Sequence, residues 1–250
     1  MITQSRLTEL LKRRSRRRKI QRPAAPNTPE RLYLGLMRRY ADRLIDLFKD
    51  GLEKSGFRID AVDRFKRARE IENVSGQLNQ VAEAVIRHGK KDARRVLGLE
   101  SQDLAPGHLV SGWRAENVRL ITNFTEEMTD RMDRLISVNY GKPVQDVADQ
   151  IQSIFDTTRS RAELIARDQT LKLNSQVTQE AQRTAGVDRY IWSTSQDGSV
   201  RDDHAELEGQ MFSWSDPPVT NKQGETNHPG QDYQCRCVPI PYIEELADLY

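Results

Sequence analysis

The sequence predicts an α+β protein: an elongated, mainly helical N-terminal body followed by a small mixed α/β C-terminal module with short strands. Between Glu30 and Ala185 there are only two prolines, Pro106 and Pro143, whereas the 65 residues from Gly186 onward hold five prolines and seven of the sixteen aromatics. That shift marks a change from helix-compatible to turn-rich composition. Thirty per cent of the 250 residues is charged and 36% is hydrophobic, so the core must be thin or built from slender helices. No stretch approaches the roughly 18 to 20 apolar residues of a membrane span, and no apolar h-region follows the basic start. A reducing cytoplasm is the expected folding compartment, because a disulfide between Cys235 and Cys237 would be strained and would close almost no loop.

Residues 1–27 read as a basic, flexible arm and linker. Residues 1–22 carry nine Lys/Arg and one acid, Glu9, a charge of +8 that leaves −6 for the remainder of a chain whose formal total is +2. Lys12, Arg13, Arg14, Arg16, Arg17, Arg18 and Lys19 place seven cations in eight residues. Such density repels itself unless an anion neutralises it. Phosphate is the natural partner, giving salt-sensitive binding without sequence preference. No aromatic interleaves with the cations, which favours duplex or backbone contact over base stacking. An acidic protein surface, or solvation alone, are the other readings. Ile2, Leu7, Leu10 and Leu11 can give the first dozen residues a short apolar helix face. Pro23-Ala24-Ala25-Pro26 is a stiff spacer.

Residues 28–140 form the helical body. Thr28-Pro29-Glu30 supplies a cap, a first-position proline and a first-turn acid. Tyr33, Leu36, Met37, Tyr40, Leu44, Leu47 and Phe48 then recur at three and four, predicting an amphipathic helix that ends near Gly51 or Gly56. A second helix is expected from about Asp60 to Val96, with Phe65, Ile71, Val74, Leu78, Val81 and Val85 as a narrow apolar stripe. Such a stripe suits long helices packed side by side, including against copies of themselves. Ala105 to Gly112 reads as a break, and helix resumes from about Ala115 to Val138. His88 and His108 have no cysteine or acid cluster near them in sequence and read as surface residues. The body carries no active-site motif.

Residues 141–250 form the last module, with a strand-rich part at 186–250. Gly141-Lys142-Pro143 starts a helix whose buried face is Val144, Val147, Ile151, Ile154 and Phe155. A further helix runs from about Arg159 to Thr184 and stops at Gly186. Arg189 to Ser193 reads as a strand, Gln196-Asp197-Gly198 as a tight turn, Arg201 to Leu207 as a short helix closed by Gly209, and Met211 to Trp214 as a second strand. A proline-containing loop leads to Asn227-His228-Pro229-Gly230 and then to Cys235-Arg236-Cys237-Val238-Pro239.

An ordered series runs through this module: Arg161 to Thr170, Gly186-Val187 before Tyr190-Ile191-Trp192, Asp197 with Arg201 and His204, Leu207-x-Gly209, His228-Pro229-Gly230, and Cys235-Arg236-Cys237. In this order and spacing it resembles the phage Mu F-like minor head (phage head morphogenesis) proteins over about 90 residues, Arg159 to Pro241. The resemblance marks Trp192, Asp197, Arg201, Gly209, Pro229, Gly230 and Arg236 as structural motif residues. It implies a non-enzymatic protein of tailed-phage heads, incorporated in few copies during assembly and located at the portal vertex or head interior after assembly in the host cytoplasm. Portal, major capsid or scaffold proteins are the implied partners, with packaged double-stranded DNA reached by the arm. Related modules are fused to toxin domains elsewhere; only thirteen residues follow Cys237 here, which favours the virion role.

His204, His228, Cys235 and Cys237 gather two of the four histidines and both cysteines within 34 residues. Imidazole and thiolate suit Zn²⁺, so the set can close one structural zinc site in a module with little apolar core. The bland alternative has Cys235 and Cys237 alternating in a strand, one buried and one facing out, with the histidines in ordinary hydrogen bonds. Asp202 and Asp203 beside His204 raise a metal nuclease or other hydrolase as a competing function, although four protein ligands leave no open position for substrate. Arg201 and Arg236 are equally suited to pair with Asp197 or Asp232 and brace the fold. A free DNA-binding protein is the remaining alternative.

Overall fold

The computed structural model describes residue 9 and residues 20–55, 61–98, 104–142 and 144–244. Four long helices come first: α1 (Asn27–Ser55), α2 (Ala61–Leu97), α3 (Gly107–Val138) and, after a 3-10 turn at Val144–Val147, α4 (Ala148–Thr184). They are followed by β1 (Arg189–Ser193), the one-turn helix α5 (Asp202–Ala205), β2 (Met211–Ser213) and β3 (Val238–Tyr242). The architecture is α+β, as the composition shift predicts. No helix among the described residues is long and apolar enough to cross a membrane.

The chain divides into two compact units, Glu30–Val81 with Ser111–Gln169, and Met1–Pro29 with Ala82–Val110 and Thr170–Tyr250. The first is helical. Tyr33, Leu36, Met37, Tyr40, Leu44 and Phe48 of α1 are buried, as their spacing predicts. They meet Trp113 and Phe124 of α3, with Tyr33 edge-on to Trp113 at 5.7 Å and Tyr40 tilted on Phe124 at 6.3 Å. Val147, Ile151, Ile154 and Phe155 are buried. A polar chain crosses this core: the Tyr33 hydroxyl donates to Asn117 Oδ1 at 2.6 Å, Asn117 Nδ2 donates to Gln169 Oε1 at 3.1 Å, and Trp113 Nε1 donates to the Gln169 carbonyl at 2.9 Å.

Three sequence expectations are corrected. Phe65 does not belong to the buried stripe of α2; it is 78% exposed, while Val74, Leu78, Val81 and Val85 are buried. Helix α3 begins at Gly107, so most of the expected break is helical, with Leu109 donating to the Pro106 carbonyl to close the entry turn. The two helices expected on either side of residue 157 are one, because no Gly or Pro interrupts them. Thr157 and Thr158 bond back to Ser153 and Ile154 carbonyls, as hydroxyls do inside a continuous helix.

The second unit carries the sheet. Its strands lie in the order β2-β1-β3, antiparallel throughout, with Tyr190 opposite Phe212 and Pro241, and Trp192 opposite Pro239. Alternation along β1 buries Tyr190 and Trp192 completely. Pro239 and Pro241 stand two residues apart, so both missing N–H groups fall on the free edge of β3, where no ladder bond is lost. The Pro239 carbonyl on that edge accepts from Gln182 Nε2 at 2.8 Å, which ties the sheet to α4. Helix α4 is closed off by Gly186 at φ +77°, where Val187 donates to the Gln182 carbonyl and Gly186 to that of Arg183. A second apolar group, including Ala93, Val96, Leu97, Ala181, Ala185, Val187 and Ile243, lies between α2, α4 and the chain end. The Pro23–Pro26 spacer is tied down in this unit: the Ala24 amide donates to Asp92 at 3.0 Å, and His88 Nε2 lies 3.2 Å from the Ala24 carbonyl.

Candidate functional site

Beyond β1 the chain turns at Asp197, whose carbonyl accepts from Val200 and whose side chain accepts from the Ser199 amide. That turn delivers Arg201 and α5, and α5 places His204 beneath Trp192, the two rings edge-to-face at 5.5 Å. Gly209 then donates to the Trp192 carbonyl, returning the chain to the sheet. From the other side, the segment 228–237 brings in the two cysteines just ahead of β3.

His204, Cys235 and Cys237 meet: their ligand atoms all lie within 4.8 Å of one another. His204 Nδ1 stands 3.4 Å from Cys235 Sγ and 3.5 Å from Cys237 Sγ. The three residues are 2%, 3% and 6% exposed. The imidazole's other nitrogen, Nε2, is 3.1 Å from Asp232 Oδ2. Arg201 holds the same carboxylate oxygen at 3.1 Å and donates to the Tyr233 carbonyl at 2.9 Å. The cysteines do not alternate in a strand with one facing out. Both are buried, in the irregular segment before β3.

His228 does not join this group. Its Nδ1 lies 2.9 Å from the Tyr190 hydroxyl, and its ring sits against Trp214 at 4.8 Å and Tyr190 at 5.6 Å. Burial among these rings pushes its pKa below the ordinary histidine range. Of the four sequence-selected ligands, the fold therefore gathers three and places the fourth in a separate aromatic nest.

The Cys237 thiol hydrogen-bonds the Cys235 sulfur, which pulls the Cys235 pKa down and pushes that of Cys237 up. The Cys235 thiolate in turn raises the pKa of His204. Gly230 donates its amide to Cys235 Sγ at 3.3 Å.

The remaining motif residues brace this arrangement. Arg236 pairs with Asp197 at 2.7 Å, and Arg201 with Asp232 at 3.1 Å, the pairings their charges suggest. The Pro229 carbonyl accepts from Ser175 of α4 at 2.6 Å. Gly230 has φ +83°, and a Cβ there would lie 3.1 Å from Ser175 Cβ, so the position requires glycine. Asp202 and Asp203 line a polar cleft of about 680 Å³ with Arg201, Thr220, Lys222 and Asp232, but they are not part of the His/Cys group. The arm cations Lys12, Arg13, Arg14, Arg16, Arg17, Arg18 and Lys19 lie outside the described residues. Sequence reasoning considered Asp232 only as an arginine partner. Its contact with the imidazole becomes visible once α5 is in place.

These features define an α+β protein whose C-terminal end closes on a buried His/Cys group braced by two arginine–aspartate pairs. Residues 131–240 match the protein family described as Phage Mu protein F like protein. An uncharacterized protein of Haemophilus influenzae is 38% identical over 137 residues, which make up 54% of this chain and 30% of that protein. The chain thus matches less than a third of that relative's length. No solved structure matches the chain.

Proposed function

We propose that the protein is a minor structural component of a tailed-bacteriophage head, incorporated in few copies during head assembly. One observation carries the reading: the family match over residues 131–240 falls on the segment in which the ordered motif residues are bonded to one another. Trp192, Asp197, Arg201, Gly209, Pro229, Gly230 and Arg236 all serve to position the sheet, α5 and the cysteine segment, which is the use expected of a docking module. The thiols are buried, which supports a structural use over nucleophilic catalysis.

In this reading the module at 141–250 and the helical body at 28–140 dock on portal, shell or scaffold proteins. The arm at 1–27 reaches packaged DNA or an acidic partner surface. The protein acts in head morphogenesis, DNA packaging or ejection, and resides at the portal vertex or in the head interior. Purified particles test the proposal. Mass spectrometry should find the protein at low copy number, and cryo-electron microscopy should locate it at the portal vertex or the inner shell. Its absence from particles that package DNA normally would overturn the reading and favour a free DNA-binding protein.

A further inference from the structure

We infer that His204, Cys235 and Cys237 hold one zinc-class metal ion, that Asp232 orients the imidazole from outside the coordination sphere, and that His228 takes no part. The inference is independent of the virion role.

Geometry is the first support. Zn–S bonds of about 2.3 Å and a Zn–N bond of about 2.0–2.1 Å at the tetrahedral angle place a nitrogen and a sulfur roughly 3.5 Å apart. His204 Nδ1 stands 3.4 and 3.5 Å from the two sulfurs. Both nitrogen–sulfur edges thus match a coordination tetrahedron and all three donor atoms lie within 4.8 Å of one another, leaving the fourth corner to a water or small anion. One ring nitrogen has a single proton or a single lone pair to offer, so hydrogen bonding to two sulfurs would have to be a weaker three-centre arrangement. A shared cation serves both.

The surroundings are those a thiolate–imidazole site needs. A metal-bound histidine commonly donates its other N–H to a carboxylate, which fixes the tautomer and the ring orientation. Here Nε2 faces Asp232 Oδ2 at 3.1 Å, and Arg201 holds that carboxylate in place. Cys235 also has a backbone N–H neighbour. The Gly230 amide donates to Cys235 Sγ at 3.3 Å. The Trp192 indole N–H is fully buried, has no hydrogen-bond partner and belongs to the apolar group that contains Cys237. The Gly230 amide stabilises the negative charge that a thiolate ligand carries. Two sulfurs and an imidazole favour zinc over the oxygen-seeking magnesium and calcium.

A Cys–His–Asp hydrolytic triad uses similar residues, but it needs a nucleophile open to substrate. The two cysteines, 3% and 6% exposed, are closed to it. A metal also explains why a module whose core group is Tyr190, Trp192, Trp214 and the two cysteines places its thiols at the centre.

The full-length chain, purified under reducing conditions and dialysed against zinc, should carry one zinc by elemental analysis and by native mass spectrometry. Zinc should slow alkylation of both cysteines in the folded protein. Cobalt in its place should give a thiolate-to-metal charge-transfer absorption. These wild-type measurements need no substitution to fold. His228→Gln should retain one equivalent, His204→Gln should lose it, and Asp232→Asn should keep the stoichiometry with about 10- to 100-fold weaker affinity. Folded wild-type protein that takes up no zinc, cysteines that alkylate equally fast with and without it, or loss of the metal in His228→Gln but not in His204→Gln would each overturn the inference.

Discussion

His204 Nε2 and Asp232 Oδ2 face each other across 3.1 Å, while Arg201 grips the same oxygen from the solvent side. The relationship matters because α5, which carries His204, is only four residues long and has no side-chain cap. So short a helix cannot fix an imidazole by its own stability. The ring is held instead by Trp192 above it and by a carboxylate brought from 28 residues further on.

The carboxylate and the arginine that holds it should differ in weight. Asp232, with a side chain 13% exposed, leaves a buried imidazole N–H without an acceptor when removed, so Asp232→Ala should cost about 1–3 kcal/mol. Arg201, with 44% of its side chain exposed, is screened by solvent, and Arg201→Ala should cost under about 1 kcal/mol. Urea denaturation of both single variants and the double variant checks this. Equal costs, or strict additivity, would contradict the picture of one carboxylate serving two groups.

His228 makes stability depend on pH. Its folded pKa is depressed by burial, whereas the unfolded chain takes up a proton near the ordinary value of about 6.5. Between those two values the unfolded state binds more protons, so the His228 contribution is fully present above about pH 6.5 and is lost as pH falls below it. The slope from this one group is at most about 1.4 kcal/mol per pH unit. His228→Gln should therefore flatten the decline between pH 7 and pH 5 relative to the wild type, measured by denaturation at each pH. Parallel curves would show that His228 is not the titrating group.

Gly230 and Gly224 separate two costs that usually come together. Both have positive φ, +83° and +80°. A methyl at Gly224 meets nothing within 4 Å, while at Gly230 it meets Ser175. Gly224→Ala should cost about 1–2 kcal/mol from the left-handed backbone alone. Gly230→Ala should add an overpacking cost of about 1–3 kcal/mol. Thermal denaturation of the two variants should rank Gly230→Ala as the more damaging, and the reverse order would mean that the α4 contact yields easily.

Much of this fold was legible in local patterns. Thr28-Pro29-Glu30 with the spacing of Tyr33 to Phe48 gave α1, the alternation of Tyr190 and Trp192 gave β1, and Gly186 gave the end of α4. Phe65 was misplaced because a three-and-four spacing cannot say how far along a helix its neighbours extend. The helix boundary near residue 157 was misplaced because polar residues there mimic a cap without a Gly or Pro to stop the chain. At the site, sequence proximity selected four ligand candidates, but choosing among them required knowing that Tyr190, 38 residues upstream, claims His228. Residue type alone does not record which partner a ring nitrogen has taken.

The arm gives a prediction about function. Removing residues 1–22 deletes nine cations and leaves a remainder of charge −6, which should repel DNA. If the arm binds phosphate, deletion should lower the slope of log affinity against log salt by roughly 0.9 for each phosphate that the arm neutralises. Titration of duplex DNA at several salt concentrations reads this directly. An unchanged slope after deletion would place the DNA-binding surface elsewhere.

Asn117 is the residue on which the helical unit's buried polar chain depends. It accepts from the Tyr33 hydroxyl at 2.6 Å and donates to Gln169 Oε1 at 3.1 Å and to the Trp113 carbonyl at 2.7 Å. Burial keeps the Tyr33 hydroxyl protonated far above the usual tyrosine range, so it always requires an acceptor. Asn117→Leu removes that acceptor and leaves Gln169 Oε1 without its donor. A cost of about 2–4 kcal/mol is expected, since orphaned buried groups forfeit their desolvation energy. Tyr33→Phe alone removes only the hydroxyl and should cost about 1 kcal/mol. In the double variant no hydroxyl remains to be orphaned, so its total cost should fall short of the sum of the singles by about 1 kcal/mol. A strictly additive double variant would mean that Tyr33 finds another acceptor when Asn117 is gone, and that the chain of bonds is a set of separate contacts.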